Sequence, residues 1–317
     1  MEFNIDRLKP PILQVYTRIL NRLPSSHPTR KDILSQLDMT SAGYNGECQV
    51  DHYLKQISLE EPYALLKEIN LKLTDHSFLS MDTLIITRKN VCILEIKTIK
   101  GALTFQEKPA QLIRDLDGVL TALPCPDQQL IRHMKRLKRW FDKNNIHLPI
   151  FGFIVLPYSK TRVVIPPKET KIIFGRDIGN VLEELDAVQP IISREKFDEI
   201  VELMNNSQTF YIPKPLMVRY PIKDEDVKYG LMCSHCYQTI KGEKFCPNCR
   251  ASTRNCKKEA IEDWLYLVKN TINNRECVKF LGLKNKHAAS YLLRSLNLVS
   301  EKKGKSTCYR LSKNVCF

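Results

Sequence analysis

"MDTLIITRKNVCILEIKTIKG", residues 81–101, reads as two apolar strands joined by a tight basic turn. Side chains alternate along a strand, so Val91, Ile93, Glu95 and Lys97 share one face of the second strand and Cys92, Leu94 and Ile96 share the other. The second face is purely apolar and suits packing under helices. If Arg88-Lys89 is the turn between paired Thr87 and Asn90, Asp82 falls opposite Glu95 and on the same face as Lys97. Three charges in a central hairpin need compensation, because a charged group leaving water is costly unless paired or bound to metal. Two carboxylates a few ångströms apart raise each other's pKa unless a cation lies between them. Hard oxygen ligands of this kind suit Mg²⁺ or Mn²⁺, and the adjacent lysine can hold an attacking water and offset charge developing on a phosphate.

Around the hairpin the text is that of an α/β domain with a mixed central sheet. GECQVDHYLKQI places Val50, Leu54 and Ile57 on one helical face, with Glu47 one turn earlier. Strand-like runs stand at 63–73, 81–87, 91–97 and 101–105, and IFGFIVL (150–156) is a fully apolar strand. PDQQLIRHMKRLKRWF carries a stripe of Leu130, Met134, Leu137 and Phe141, with Arg132, Lys135, Arg136 and Arg139 on the opposite side, where a phosphate backbone can be met. Helical patterns follow at 178–186 and 193–205, the second with Ser193 as N-cap.

At these residues the sequence resembles the nuclease-related domain (NERD), a branch of the PD-(D/E)xK nuclease superfamily. "GYNGE", "MD", "LEIK" and "PDQQ" carry the resemblance, from about Ser41 to about Leu156, with the helices to Asn205 as an extension. The resemblance implies that Glu47 is the acidic residue of the first helix and Asp82 a metal-binding aspartate. It makes Glu95 and Lys97 the E-x-K pair and Gln129 the glutamine that opens the basic helix. The family often has Asn after the lysine and Asn-Pro before the glutamine. Here Thr98 and Cys125-Pro126 stand instead, and all the acidic positions are filled.

The remainder of the chain has a different character. Residues 1–227 carry 31 Lys+Arg against 29 Asp+Glu, whereas residues 228–317 carry 18 against 6. A near-neutral body with a basic tail suggests a polyanionic partner, nucleic acid above all. "CSHCYQTIKGEKFCPNCR" holds two C-x-x-C pairs, Cys233/Cys236 and Cys246/Cys249, and resembles a small zinc ribbon with four thiolates for one structural Zn²⁺. The other seven cysteines have no paired spacing. Residues 255–317 read as three helices and a hairpin and resemble a winged helix-turn-helix. Lys286, His287, Ser290 and Arg294 face outward on its recognition helix, and Lys302, Lys303 and Lys305 form a basic wing.

The expected organisation is a helical segment at 1–40, a nuclease-like domain at 41–206, a linker at 207–230, a zinc ribbon at 231–254 and a winged helix at 255–317. The expected function is Mg²⁺- or Mn²⁺-dependent hydrolysis of phosphodiester bonds in nucleic acid, DNA ahead of RNA. The alternative is a DNA-bound regulator whose nuclease-like fold no longer cuts. A tail that binds a protein partner or forms a homodimer is a third reading. MEFNIDRLKP has no apolar signal-peptide core and no run is long enough to span a bilayer, so a cytoplasmic location is expected.

Overall fold

The computed structural model describes residues 3–4, 7–60, 62–74, 77–209, 213–303 and 306–311. The chain forms two compact units, Met1–Leu8 with Ala42–Thr209, and Lys9–Ser41 with Phe210–Phe317. The architecture is mixed α/β, with sheets flanked by helices. Among the described residues, no helix is long and apolar enough to cross a membrane.

The first unit is built on a six-stranded sheet of β1 (Phe3–Asn4), β2 (Ala64–Thr74), β3 (Ser77–Ile86), β4 (Val91–Ile96), β8 (Ile150–Leu156) and β10 (Lys171–Phe174), in that spatial order. The register pairs Ile86 with Val91 and Thr83 with Leu94, as the turn at Arg88-Lys89 requires. Beside β4 lies β8, parallel to it, with Glu95 opposite Ile154. A second sheet, in the order β7-β6-β5-β9, comprises β5 (Ala102–Glu107), β6 (Ala110–Leu116), β7 (Val119–Pro124) and β9 (Arg162–Ile165).

Every residue of β4 is buried, so both faces of the main sheet are covered. One face packs Leu84, Ile86, Val91 and Ile93 against α3 (Pro126–Lys143) and α5 (Arg194–Asn206). The other packs Ile85, Cys92, Leu94 and Ile96 against α2 (Arg30–Leu54) and α4 (Ile178–Asp186). Helix α3 sits close on β8 because Gly152 has no side chain: a Cβ there would lie 2.8 Å from Met134 Sδ and 2.9 Å from Leu130 Cδ1. The Ser193 hydroxyl caps α5 by accepting the Lys196 N–H. Helix α2 is continuous where the sequence pattern reads as two separate helical stretches, and the boundary between the units falls between its Ser41 and Ala42.

The second unit gathers α1 (Pro11–Arg22), α6 (Leu216–Arg219), α7 (Cys256–Leu267), α8 (Asn274–Leu281) and α9 (Lys286–Ser295). It also contains β11 (Leu231–Met232) paired with β12 (Thr239–Ile240), and a three-stranded antiparallel sheet in the order β13-β15-β14. The strands of that sheet are β13 (Ile272–Asn273), β14 (Leu298–Lys303) and β15 (Ser306–Leu311). Residues 9–41 share this unit's core, through Val15, Ile19, Leu23 and Ile33. The stretch at 207–230 differs from a free linker, because Leu216, Ile222 and Val227 are buried in the same core. Asn273 opens α8 with a capping box to Glu276.

Helices α1 and α7 are joined by buried charges. Asp263 accepts from Arg18 Nε at 2.6 Å and from Arg22 Nε at 2.8 Å, and Arg18 Nη2 reaches Glu262 at 2.9 Å. Arg22 Nη1 also donates to the carbonyls of Lys228 and Gly230. Removing one partner of such a network leaves the others charged and unpaired in the interior. Asp263→Ala is therefore expected to destabilise the second unit by about 3–5 kcal/mol, measured by denaturant unfolding. A midpoint equal to wild type would contradict this account of how α1 is held.

Candidate active site

The hairpin carboxylates lie where β3 and β4 part. The ladder ends at the Thr83–Leu94 pair, and one step on the Asp82 Oδ2 accepts the Ile96 N–H at 2.8 Å. Glu95 follows the parity of Val91 and Ile93 and points to the α3 side. Its side chain has no exposed surface to speak of, at 1%. Its Oε1 accepts from Lys97 Nζ and from Gln129 Nε2, both at 2.6 Å. His133, one helical turn after Gln129 on α3, brings Nδ1 within 3.0 Å of Oε2, but the two atoms make no hydrogen bond. Glu95 Oε2 is thus a buried acceptor left open.

Glu47 comes from α2. The residue before it, Gly46, permits the approach: a Cβ there would lie 1.9 Å from Thr98 Oγ1. The Glu47 Oε2 is 2.8 Å from Arg7 Nη1. That guanidinium also donates from Nε to Asp51 Oδ2 at 3.1 Å, and from Nη2 to Thr83 Oγ1 at 3.0 Å and the Asp82 carbonyl at 3.3 Å. The structure therefore brings Lys97 and Gln129 into direct contact with Glu95, holds Asp82 at the Ile96 N–H of the same hairpin, and links Glu47 to the Asp82 carbonyl through Arg7. Arg7 and His133 are additions to the residues read from the sequence. His133 had a signal, being four residues after Gln129 on the same helical face. Arg7 had none, since its contacts span 40 residues or more.

Electrostatics set the three acids apart. Burial pushes the Glu47 carboxyl up to about 7, with Arg7 working against it and Asp82 adding to it. Burial, then the charge of Glu95, pushes Asp82 up to about 6, against the pull of Lys97 and the Ile96 N–H. Burial alone would raise Glu95 as well; the nearness of His133 and Lys97 outweighs it and holds this carboxyl below its usual range. The hairpin thus has one firmly anionic group and, beside it, acids that a cation would help to ionise.

Two carboxylates, one with an open buried oxygen, fit a hard divalent ion that keeps most of its waters, as Mg²⁺ does. Among the described residues the only group of three or more His, Cys, Asp or Glu with ligand atoms all within 4.8 Å of one another is Cys233, Cys236, Cys246 and Cys249. The Sγ atoms of Cys233 and Cys249 are 3.6 Å apart, as are those of Cys236 and Cys246. Tetrahedral zinc with Zn–S of ~2.3 Å needs S···S of ~3.8 Å. The two knuckles repeat one backbone pattern. In each, the residue after the second cysteine is left-handed (Tyr237 at φ 58°, Arg250 at φ 61°) and donates its N–H to the carbonyl of the first. This cluster supports a zinc ribbon.

The basic positions are surface groups. Arg132, Lys135 and Arg139 are exposed on α3, while Arg136 is half-buried with Nη1 3.4 Å from the Phe78 carbonyl. On α9, Lys286, His287 and Arg294 are exposed and Ser290 is half-buried, opposite buried Ala289 and Leu293. Tyr291, 80% exposed, stands among them. Lys302 is exposed on β14, Lys303 ends that strand, and Lys305 lies outside the described residues.

A carboxyl whose pKa is raised by folding stabilises the folded state when protonated, and that contribution is lost as pH rises through the folded value. In metal-free buffer the stability of the first unit is therefore expected to fall between about pH 4.5 and 7 on account of Glu47 and Asp82. Glu47→Gln should flatten the fall over its upper part, as read by thermal unfolding at fixed ionic strength. An unchanged slope in that variant would contradict the burial of Glu47.

Residues 42–157 match the family model of the nuclease-related domain. No curated protein and no solved structure matches the chain. The matched residues span Glu47, the β3–β4 hairpin, Gln129 and His133 on α3, and strand β8. The residues that build the carboxylate site, Arg7 apart, fall within this match.

Proposed function

We propose that the protein is a metal-dependent nuclease that hydrolyses phosphodiester bonds in nucleic acid, DNA ahead of RNA. The observation that carries the reading is the Glu95 carboxylate, buried and held below its usual pKa, with Oε1 held by Lys97 and Gln129 and Oε2 left without a hydrogen bond, on the strand next to Asp82. Asp82 and Glu95 would hold Mg²⁺ or Mn²⁺. When bound, such an ion lowers the pKa of a water and polarises a phosphate. Lys97, 25% exposed, is the group that can both touch a nucleophilic water and offset charge on the phosphate. Gln129 would help to hold the Glu95 carboxylate, and Glu47 would help to order the water of the ion. The exposed arginines and lysine of α3 suit the phosphate backbone.

In the second unit, the order α7, β13, α8, α9, β14, β15 supports a winged helix-turn-helix. Its α9 face of Lys286, His287, Ser290 and Arg294, with a wing of Lys302, Lys303 and Lys305, would bind the nucleic acid. Four thiolates leave no open position, so the zinc of the ribbon is structural. A reducing, cytoplasmic setting suits such a centre. The complete Asp/Glu/Lys set favours cutting over a role confined to binding.

One experiment on the full chain separates these roles: cleavage of labelled DNA and RNA with and without Mg²⁺, alongside binding measured in Ca²⁺. Asp82→Asn and Glu95→Gln should each lower cleavage by about 100-fold or more. Lys97→Ala should lose turnover with affinity kept, because its charge serves the transition state. Replacing Lys302, Lys303 and Lys305 by Ala should weaken binding and flatten the dependence of log affinity on log salt, by about one unit per lost phosphate contact. Cleavage unchanged in both carboxylate variants would overturn the nuclease assignment. An unchanged salt slope in the triple-lysine variant would give the wing to a protein partner.

A further inference from the structure

Arg7 lies outside residues 42–157, yet its side chain is 1% exposed and is wholly engaged with that domain. The N-terminal strand β1 delivers it by pairing in parallel with β2, Phe3 opposite Ala64 and Asn4 opposite Leu65. A buried guanidinium is tolerated when its donors are matched, and here they bridge two elements. Towards α2 it meets Glu47 and Asp51, and towards β3 it meets the Asp82 carbonyl and the Thr83 hydroxyl. The pattern singles out one of the acids. Asp51 has a second cation, Lys67, 3.4 Å away, so it keeps a partner without Arg7. Glu68 is 3.7 Å from Arg7 and half in solvent, at 47%. Glu47 is 22% exposed, and among the described residues its ion pair is with Arg7.

We propose that Arg7 is a positioning residue of the nuclease site, acting through Glu47: it tethers that carboxylate to β3 at the residue that carries the Asp82 side chain. This rests on the nuclease reading above. The consequence is that the nuclease-related domain is completed by a side chain that precedes it in sequence, so that the conformation of residues 1–8 bears on turnover. A planar fork that donates to both α2 and β3 fixes distance and direction together, which a lysine point charge does only in part.

The test is a double-mutant cycle on the full chain, read as steady-state DNA cleavage in Mg²⁺ with unfolding midpoints in parallel. Arg7→Ala should lower kcat by at least about tenfold, as expected when a reacting group loses its placement. KM for DNA should stay within about twofold, because the lost interaction is not with substrate. Arg7→Lys should recover part of the loss. In the Glu47→Gln background, Arg7→Ala should add almost nothing, since the two residues act as a unit. If Arg7→Ala does not fold, Arg7→Lys with and without Glu47→Gln supports the same comparison. Wild-type kcat in the Arg7 variants would overturn the role, as would a loss that multiplies in full with that of Glu47→Gln, which marks a merely structural ion pair. A wild-type chain that cuts neither DNA nor RNA would instead overturn the nuclease reading, and this role with it.

Discussion

A carboxylate with no exposure in the middle strand of a sheet imposes conditions on everything around it. Taking Glu95 out of water is costly unless charge and hydrogen bonds replace the solvent. Lys97 comes from just past the end of the same strand, but Gln129 must come from a helix on the same face, with His133 one turn later. Helix α3 can reach only if nothing projects from β8 beneath it, and Gly152 meets that condition. On the opposite face α2 has to come close enough to bring Glu47, and Gly46 meets the same condition against Thr98. The position of both flanking helices thus follows from the need to surround one hairpin.

The two units use buried charge in opposite ways. In the second, Asp263 has both oxygens matched by Arg18 and Arg22, and Arg22 is further satisfied by two backbone carbonyls. Such a closed network holds helices in register and has nothing left to offer a ligand. Around Glu95 and Asp82 the network is left open. One buried oxygen has no hydrogen bond and the neighbouring acids are pushed up towards neutrality. Incomplete satisfaction is a stability cost, and sites for cations and reacting groups are where proteins accept it.

What was legible in the sequence was what repeats over short distances. Alternation along residues 91–97 identified the apolar face and set Glu95 and Lys97 on the other, and turn chemistry gave the hairpin register as far as the Thr83–Leu94 pair, one step short of Asp82. Cysteine spacing identified the four converging thiols. Helical spacing identified the buried side of α3. What was not legible depends on tertiary partners. Strands β6 and β7 are half-exposed or exposed along most of their length, so no apolar alternation marks them. Leu216, Ile222 and Val227 lie in a stretch rich in proline and charge, and only the fold shows that they enter a core. Arg7 is a single basic residue near the chain's start, with no local pattern to connect it to acids 40 and 44 residues on.

The claim on which the rest turns is that Asp82 and Glu95 hold a divalent ion at the open end of the hairpin. Titration of the zinc-loaded full chain with Mn²⁺, followed by the loss of the free-ion paramagnetic signal, measures this without any nucleic acid. The account predicts saturable binding of about one Mn²⁺ per chain, as an octahedral ion on one or two carboxylates would give. It predicts that Glu95→Gln abolishes the binding while the chain still unfolds cooperatively. Equal Mn²⁺ binding by wild type and Glu95→Gln would contradict it.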